Sequence, residues 1–222
     1  MNILHLQNLK KSYPHSSGAI EVLMGINTQI LKGQSVAIIG PSGSGKSTLL
    51  SMLAGLDAPT SGSISIAGNH LEKMSEEELT DYRAKNLGIV FQKFHLMSHL
   101  TAQENVALPL KIAEDSQWAA KSIGALESVG LGHRLAHFPH ELSGGECQRV
   151  AIARAMVGNP PIILADEPSG NLDSKTGESV MELLFNLVRE HKGTLVLVTH
   201  NEELAKQCDR QLTLQEGLLI EK

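Results

Sequence analysis

Gly40-Pro41-Ser42-Gly43-Ser44-Gly45-Lys46-Ser47, continued by Thr48, satisfies GxxxxGK[ST], and its flanks decide what the match means. Before it, residues 35–39 (Ser-Val-Ala-Ile-Ile) form a short apolar run of buried-strand type. After it, the segment from Lys46 to about Ala54 puts Leu49, Leu50 and Leu53 on one helical face. Strand, glycine-rich turn and helix in that order make a phosphate cradle, where a surface loop would need no such context. Glycines let the turn wrap so that backbone N–H groups point at phosphate oxygens, and the helix adds its positive dipole end. In that geometry Lys46 reaches the β- and γ-phosphates of a nucleotide and Ser47 offers its hydroxyl to Mg²⁺.

The rest of the chain alternates strands with helices. Residues 2–6, 20–27, 63–67 and 87–91 read as strands, with Lys32-Gly33-Gln34 as a turn. Ser75 and Glu78 have capping-box spacing, so a helix starts there and runs to about Lys85. From about Lys93 to Gly158 strand signals fade and helices are expected over 104–112, 118–129 and 146–157. Residues 162–165 and 194–198 are buried strands, and 176–191 is an amphipathic helix carrying Val180, Leu183, Leu184, Leu187 and Val188. Residues 212–220 read as a closing hairpin around Glu216-Gly217. The pattern predicts a mostly parallel sheet with an all-helical insertion.

Composition removes several classes. Net charge is −5 and aromatics are 3% of residues, so neither a polyanion-binding surface nor a base-stacking platform is expected, and no nucleic-acid partner. No apolar run approaches the roughly 18 residues of a bilayer span, and residues 1–6 alternate like a strand with no secretory pattern. Cys147 and Cys208 form no CxxC pair and read as reduced thiols, placing the chain inside the cell. A cluster at His133, His137 and His140 is interrupted by Pro139 and lacks a completing cysteine, so a solvated loop is the simpler reading than a metal site.

Two further motifs carry chemistry. Residues 162–165 run into Asp166 and Glu167, a strand ending in two carboxylates. Beside a phosphate cradle, Asp166 holds Mg²⁺ directly or through water, and Glu167 polarises the attacking water as general base. Successive strand side chains point opposite ways, so the two roles require the chain to bend at this strand end. The second is Leu142-Ser143-Gly144-Gly145-Glu146 before a helical run. Ser143 and Glu146 form a capping box, but Gly-Gly in a first helical turn is costly and capping does not explain it. Close approach to an anion does explain it, and a second anion-facing helix end in a chain with its own cradle points to a site completed by another copy.

The order of these motifs resembles the ATP-binding subunits of ABC transporters along essentially the whole chain. Residues 40–48 correspond to Walker A, 142–146 to the signature and 162–167 to Walker B. The resemblance implies an α/β P-loop NTPase fold (RecA-like core) with an N-terminal antiparallel β subdomain and an inserted α-helical subdomain. It implies one ABC ATPase domain over 1–222, with core and β subdomain in 1–92 and 158–222 and the helical signature subdomain in 93–157. Gln92 matches the Q-loop glutamine that senses metal and γ-phosphate, so Ser47, Gln92 and Asp166 form the implied metal set. Ser169-Gly170-Asn171-Leu172-Asp173 is similar to the D-loop, which communicates across the dimer. His200 looks like the switch histidine on the γ-phosphate, and Tyr13 sits where the family stacks an aromatic on adenine. Catalytic roles fall on Glu167, His200, Lys46 and Gln92, with ATP and Mg²⁺ bound. The implied partners are a second copy, head to tail on ATP, and an integral membrane permease that holds the chain on the inner face of the cell membrane.

Residues 87–110 and the run Ala165-Asp166-Glu167-Pro168-Ser169-Gly170-Asn171-Leu172-Asp173 resemble the macrolide-export, lipoprotein-release and FtsE-like group, in which ATP-driven closure moves a membrane partner. An FtsE-like regulator of a cell-envelope enzyme is the alternative; less favoured is a DNA-maintenance ATPase, whose heads normally carry a long coiled coil or zinc modules that this sequence does not show. Two positions depart from the family pattern: Cys147, where Gln or another polar residue is common, and Ser169, where Thr is frequent. Cys147 is expected to make the signature helix sensitive to thiol reagents.

Overall fold

The computed structural model describes residues 1–16 and 18–221. In chain order its elements are β1 (Asn2–His15), β2 (Gly18–Leu31), β3 (Ser35–Ile39), α1 (Lys46–Leu53), β4 (Ser61–Ile66), β5 (Asn69–His70), α2 (Glu76–Asn86) and β6 (Leu87–Phe91). They continue with α3 (Ala102–Ile112), α4 (Trp118–Ser128), α5 (Gly144–Met156), β7 (Ile162–Asp166), α6 (Ser174–Glu190), β8 (Thr194–Val198), α7 (Glu202–Ala205), β9 (Arg210–Gln215) and β10 (Leu218–Glu221). The chain divides into two compact units, one of Met1–Arg83 with the segment from Thr194 onward, the other Ala84–Gly193.

The first unit holds two groups of strands. β2, β1, β4 and β5 pair antiparallel in that order, the expected N-terminal β subdomain. Alongside it run β10, β9, β3 and β8, with β3 parallel to both β8 and β9 and the β9–β10 hairpin closing the edge. The central strands β3 and β8 are apolar runs with almost no exposed surface, as parallel strands covered on both faces must be. Leu4, Leu6, Leu9, Leu23, Ile26, Ile30, Ile64 and Ile66 fill the β subdomain, each contributing about 1.5–3 kcal/mol.

β1 continues far beyond the expected 2–6. Its alternation breaks after Leu6 because Asn8 takes a left-handed conformation (φ +47°) at a bulge, and the register shifts between Leu6 and Leu9. Past the bulge the strand resumes. The turn at Glu216 and Gly217 has both residues at positive φ (+49° and +73°), the geometry a two-residue hairpin needs. α7, four residues capped by Asn201, is too short to leave a periodic signal and was not expected.

In the second unit β6 and β7 pair parallel, Gly88 opposite Ile163. A Cβ on Gly88 would run into the Ala155 carbonyl, so glycine lets α5 lie directly on the strand. α3, α4 and α5 pack on one another, the helical region expected over 93–157, and share this unit with β6, β7 and α6. α6 starts on Asp173, whose side chain accepts from Thr176 N, and buries Val180, Met181, Leu184, Phe185, Leu187 and Val188. Leu183, expected on that face, is only half-buried because the apolar stripe runs through Met181 and Phe185 instead. Among the described residues no helix is long and apolar enough to cross a membrane.

Candidate active site

β3 ends at Ile39, and the chain turns through residues 40–45 before α1 begins. Gly40 has no room for a side chain: a Cβ would run into the Leu214 carbonyl oxygen and lie 3.0 Å from Ser44 Oγ. Gly45 is left-handed (φ +99°) and closed in by Val22 Cγ1 at 2.9 Å and Leu23 Cδ2 at 3.1 Å. α1 has no side-chain cap, so its first-turn N–H groups have no partner from the residue that begins the helix. Lys46 is buried, its Nζ donating to the carbonyls of Gly40 (2.9 Å) and Pro41 (2.8 Å). Ser44 Oγ is buried with no hydrogen-bond partner. An ammonium, an unpartnered hydroxyl and uncapped amides share one turn, a donor set that fits an acceptor-only polyphosphate.

Tyr13 lies near the end of β1, and the residue is 39% exposed. Its hydroxyl donates to Asp57 Oδ2 at 2.6 Å, and Lys11 Nζ stands 4.7 Å from the ring centroid. Lys11 also pairs with Asp57 Oδ1 at 2.5 Å and donates to the Ala58 carbonyl. The hydrogen bond to Asp57, with burial, raises the phenol's pKa, while one with Thr48 works the other way. Burial pulls the Asp57 carboxyl upward, but hydrogen bonds from Lys11 and Tyr13 outweigh it and hold it below its ordinary value. Asp57 was not found by sequence reasoning: Gly55-Leu56-Asp57-Ala58-Pro59 reads as a turn, and its partners lie more than 40 positions away. His200 follows β8, exposed, between Thr199, whose N–H bonds the Ile38 carbonyl, and Asn201, the cap of α7.

The second unit carries the remaining motifs. β7 ends at Asp166, and Glu167 takes φ +43°, a left-handed conformation that costs a non-glycine residue about 1–2 kcal/mol. This is the bend that two neighbouring carboxylates with separate roles require, and strain of this kind gathers at active sites. The next residues turn back at once, Gly170 N donating to the Glu167 carbonyl (2.9 Å) and Leu172 N to that of Ser169 (3.0 Å).

At α5 the capping box forms in both directions: Ser143 Oγ accepts from Glu146 N, and Ser143 N donates to Glu146 Oε2 at 2.8 Å. Glu146 also takes Arg134 Nε at 3.2 Å. The Ser143 amide first, then its hydroxyl and Arg134, keep the carboxyl below its usual range against a burial effect that raises it. The two glycines prove unlike. Gly144 is exposed, and a Cβ there would touch only Leu172 Cδ2 (3.3 Å) and Phe94 Cζ (3.9 Å). Gly145 is buried, and its Cβ would lie 2.5 Å from Thr176 Cγ2 on α6. The packing of α5 on α6 therefore gives a reason of its own for glycine at 145. Cys147 also departs from expectation: its thiol is buried against the Pro139 carbonyl, and burial, with the Glu146 charge, raises its pKa. A buried thiol held protonated is a poor nucleophile, so the thiol sensitivity expected of it is not supported.

Residues 91–95 are held by side chains from elsewhere in the unit. Gln148 Nε2 donates to the Phe91 carbonyl (3.4 Å), Asn171 Nδ2 to that of Gln92 (3.0 Å), and Arg154 to those of Phe94 (2.7 Å) and His95 (2.6 Å). Phe94 and His95 are both left-handed (φ +58° and +48°). Gln148 and Arg154 were missed as site residues; the one available sign was an arginine inside the apolar run of α5.

A strand–turn–helix phosphate cradle and a strand ending in two carboxylates are the two halves of a P-loop nucleotide-hydrolysing protein. The family model for ABC transporters matches residues 23–170, and the chain belongs to that family as one of its ATP-binding, ATP-hydrolysing subunits. It is 48% identical to the uncharacterized ABC transporter ATP-binding protein YbbA of Escherichia coli (strain K12), over 100% of this chain and 98% of that one. It is 49% identical to the lipoprotein-releasing system ATP-binding protein LolD of Legionella pneumophila (strain Paris), covering 98% and 96%. Among solved structures, the ATP-binding cassette MJ0796, in a dimeric post-hydrolysis state bound to ADP and Pi, has a TM-score of 0.89 and 41% identity, covering 97% of this chain and 96% of that one.

Proposed function

We propose that two copies of this chain close head to tail on two ATP molecules, each cradle facing the other's signature turn, and that closure drives a separate integral membrane permease. The observation that carries this reading is that one chain has two helix starts suited to an anion: the uncapped first turn of α1, and the first turn of α5, exposed at Gly144. One nucleotide per chain cannot use both in the same copy if the second completes a partner's site. The likeness to a dimeric cassette and to LolD supports the same arrangement, with work of the export, lipoprotein-release or mechanotransmission kind. The chain would then sit on the cytoplasmic face of the membrane through its permease.

Within each site Lys46 and the turn amides bind the phosphates, Tyr13 supports the adenine, and Glu167 takes the proton of the attacking water. His200 steadies the γ-phosphate, and the D-loop, Ser169 to Asp173, lies where the two copies meet. Ser47, Asp166 and Gln92 would hold Mg²⁺, which when bound neutralises charge on the phosphates. Positioning and charge stabilisation carry the rate, since phosphoryl transfer asks little covalent chemistry of the protein.

Detergent extraction with the tagged chain tests the assignment. The expected result is stoichiometric recovery of one integral membrane protein that raises ATP turnover. Recovery of the chain alone, with turnover raised by DNA, would overturn it.

The Asp57 anchor gives a narrower test. Asp57→Ala frees the Tyr13 hydroxyl, so ATP affinity of the isolated chain should fall about three- to tenfold, the worth of one well-placed hydrogen bond, and no further than in Tyr13→Ala. Equilibrium titration with ATP measures it. Unchanged affinity in Asp57→Ala beside a clear loss in Tyr13→Ala would dismiss Asp57 as the anchor.

A further inference from the structure

We propose that Asn171 is a positioning residue for Gln92, tying the D-loop to the Q-loop of the same chain. The two side chains are 79 positions apart and meet twice: Gln92 Nε2 donates to Asn171 Oδ1 (3.3 Å), and Asn171 Nδ2 donates to the Gln92 carbonyl (3.0 Å). One amide therefore holds both the backbone and the side chain of the other residue. Gly170 leaves the space for it, since a Cβ there would lie 2.6 Å from Gln92 Nε2.

The surroundings make this pair decisive. Gln148 fixes the carbonyl of Phe91 just before Gln92, and Arg154 fixes those of Phe94 and His95 just after it. With the backbone clamped on both sides, the Gln92 side chain is the remaining free rotor, and Asn171 sets it. The D-loop turn that carries Asn171 is anchored in turn on the Glu167 carbonyl through Gly170 N (2.9 Å) and opens α6 through Asp173. A shift of the D-loop therefore moves the Gln92 amide. The role comes from the contact itself. It rests on the reading of Gln92 as the residue that meets metal and γ-phosphate.

The test is steady-state hydrolysis of MgATP by the purified full chain in a double-mutant cycle. Asn171→Ala should lower kcat about three- to tenfold, leave KM for ATP within about twofold, and raise the Mg²⁺ needed for half-maximal rate. Asn171→Asp keeps the acceptor for Gln92 Nε2 and loses the donor, so it should recover part of the rate. On a Gln92→Ala background the Asn171→Ala change should cost less than about twofold, because the group it positions is gone. Thermal melting of each variant separates these effects from unfolding; Asn171 is exposed, and its melting point should stay near that of the parent. Multiplying losses in the double variant, or a raised KM with kcat intact, would overturn the positioning role while leaving Gln92 in place. If Gln92→Ala alone leaves kcat and the Mg²⁺ dependence unchanged, the reading of Gln92 fails and the Asn171 role falls with it.

Discussion

Glu167→Gln is expected to lower ATP turnover by about 10²–10⁴-fold, the usual worth of a general base, while leaving ATP bound. An amide matches the carboxylate in size, so the left-handed backbone at φ +43° carries the same strain in both proteins and the Gly170 hydrogen bond to the 167 carbonyl is untouched. What the amide cannot do is accept a proton from water. If closure of two copies depends on bound ATP and opening on its hydrolysis, the variant should also accumulate as a dimer in ATP, and return to monomer when ATP is exchanged for ADP. Phosphate release and size-exclusion chromatography in the two nucleotides read both effects. Turnover above about a tenth of the parent's would remove Glu167 from the role of base, whatever the oligomeric state.

The parts of this fold that could be read from sequence are those decided by neighbours in the chain. β3, β6 and β8 are short apolar runs bounded by turn residues, and their limits fall where the runs end. The capping boxes at Ser75 and Ser143 are four-residue patterns, and both form. β1 was cut short because a bulge at Asn8 interrupts the alternation that would have revealed it. The same division runs through the site. The cradle is a contiguous turn, and the bend at Glu167 falls where an apolar strand runs into two adjacent carboxylates. Asp57 with Tyr13, Arg154 with Phe94 and His95, and Gln92 with Asn171 are pairings 44, 59–60 and 79 positions apart. No local period encodes such contacts. Gly145 has a non-local reason of the same kind: a side chain there would meet Thr176 on a different helix.

That distinction decides how the proposed trans site should be challenged. Substituting Gly145 would wedge α5 away from α6, and Ser143→Ala would remove a helix cap worth about 1 kcal/mol, so either variant confuses stability with function. Gly144→Asp does not. Its Cβ meets only the flexible ends of Leu172 and Phe94, and a carboxylate in the first turn of α5 favours the helix by about 0.3–1 kcal/mol through the dipole. The fold should therefore hold, with a melting temperature close to the parent's. A partner's γ-phosphate approaching that turn would instead meet a negative charge in a site closing to water, where like charges a few ångströms apart repel by several kcal/mol. Turnover and ATP-driven dimerisation should fall by about 10²-fold or more, while the isolated chain binds ATP as tightly as before. Equal losses of monomer affinity and turnover would mean that Gly144 serves its own chain's nucleotide, and the head-to-tail arrangement would have to be abandoned.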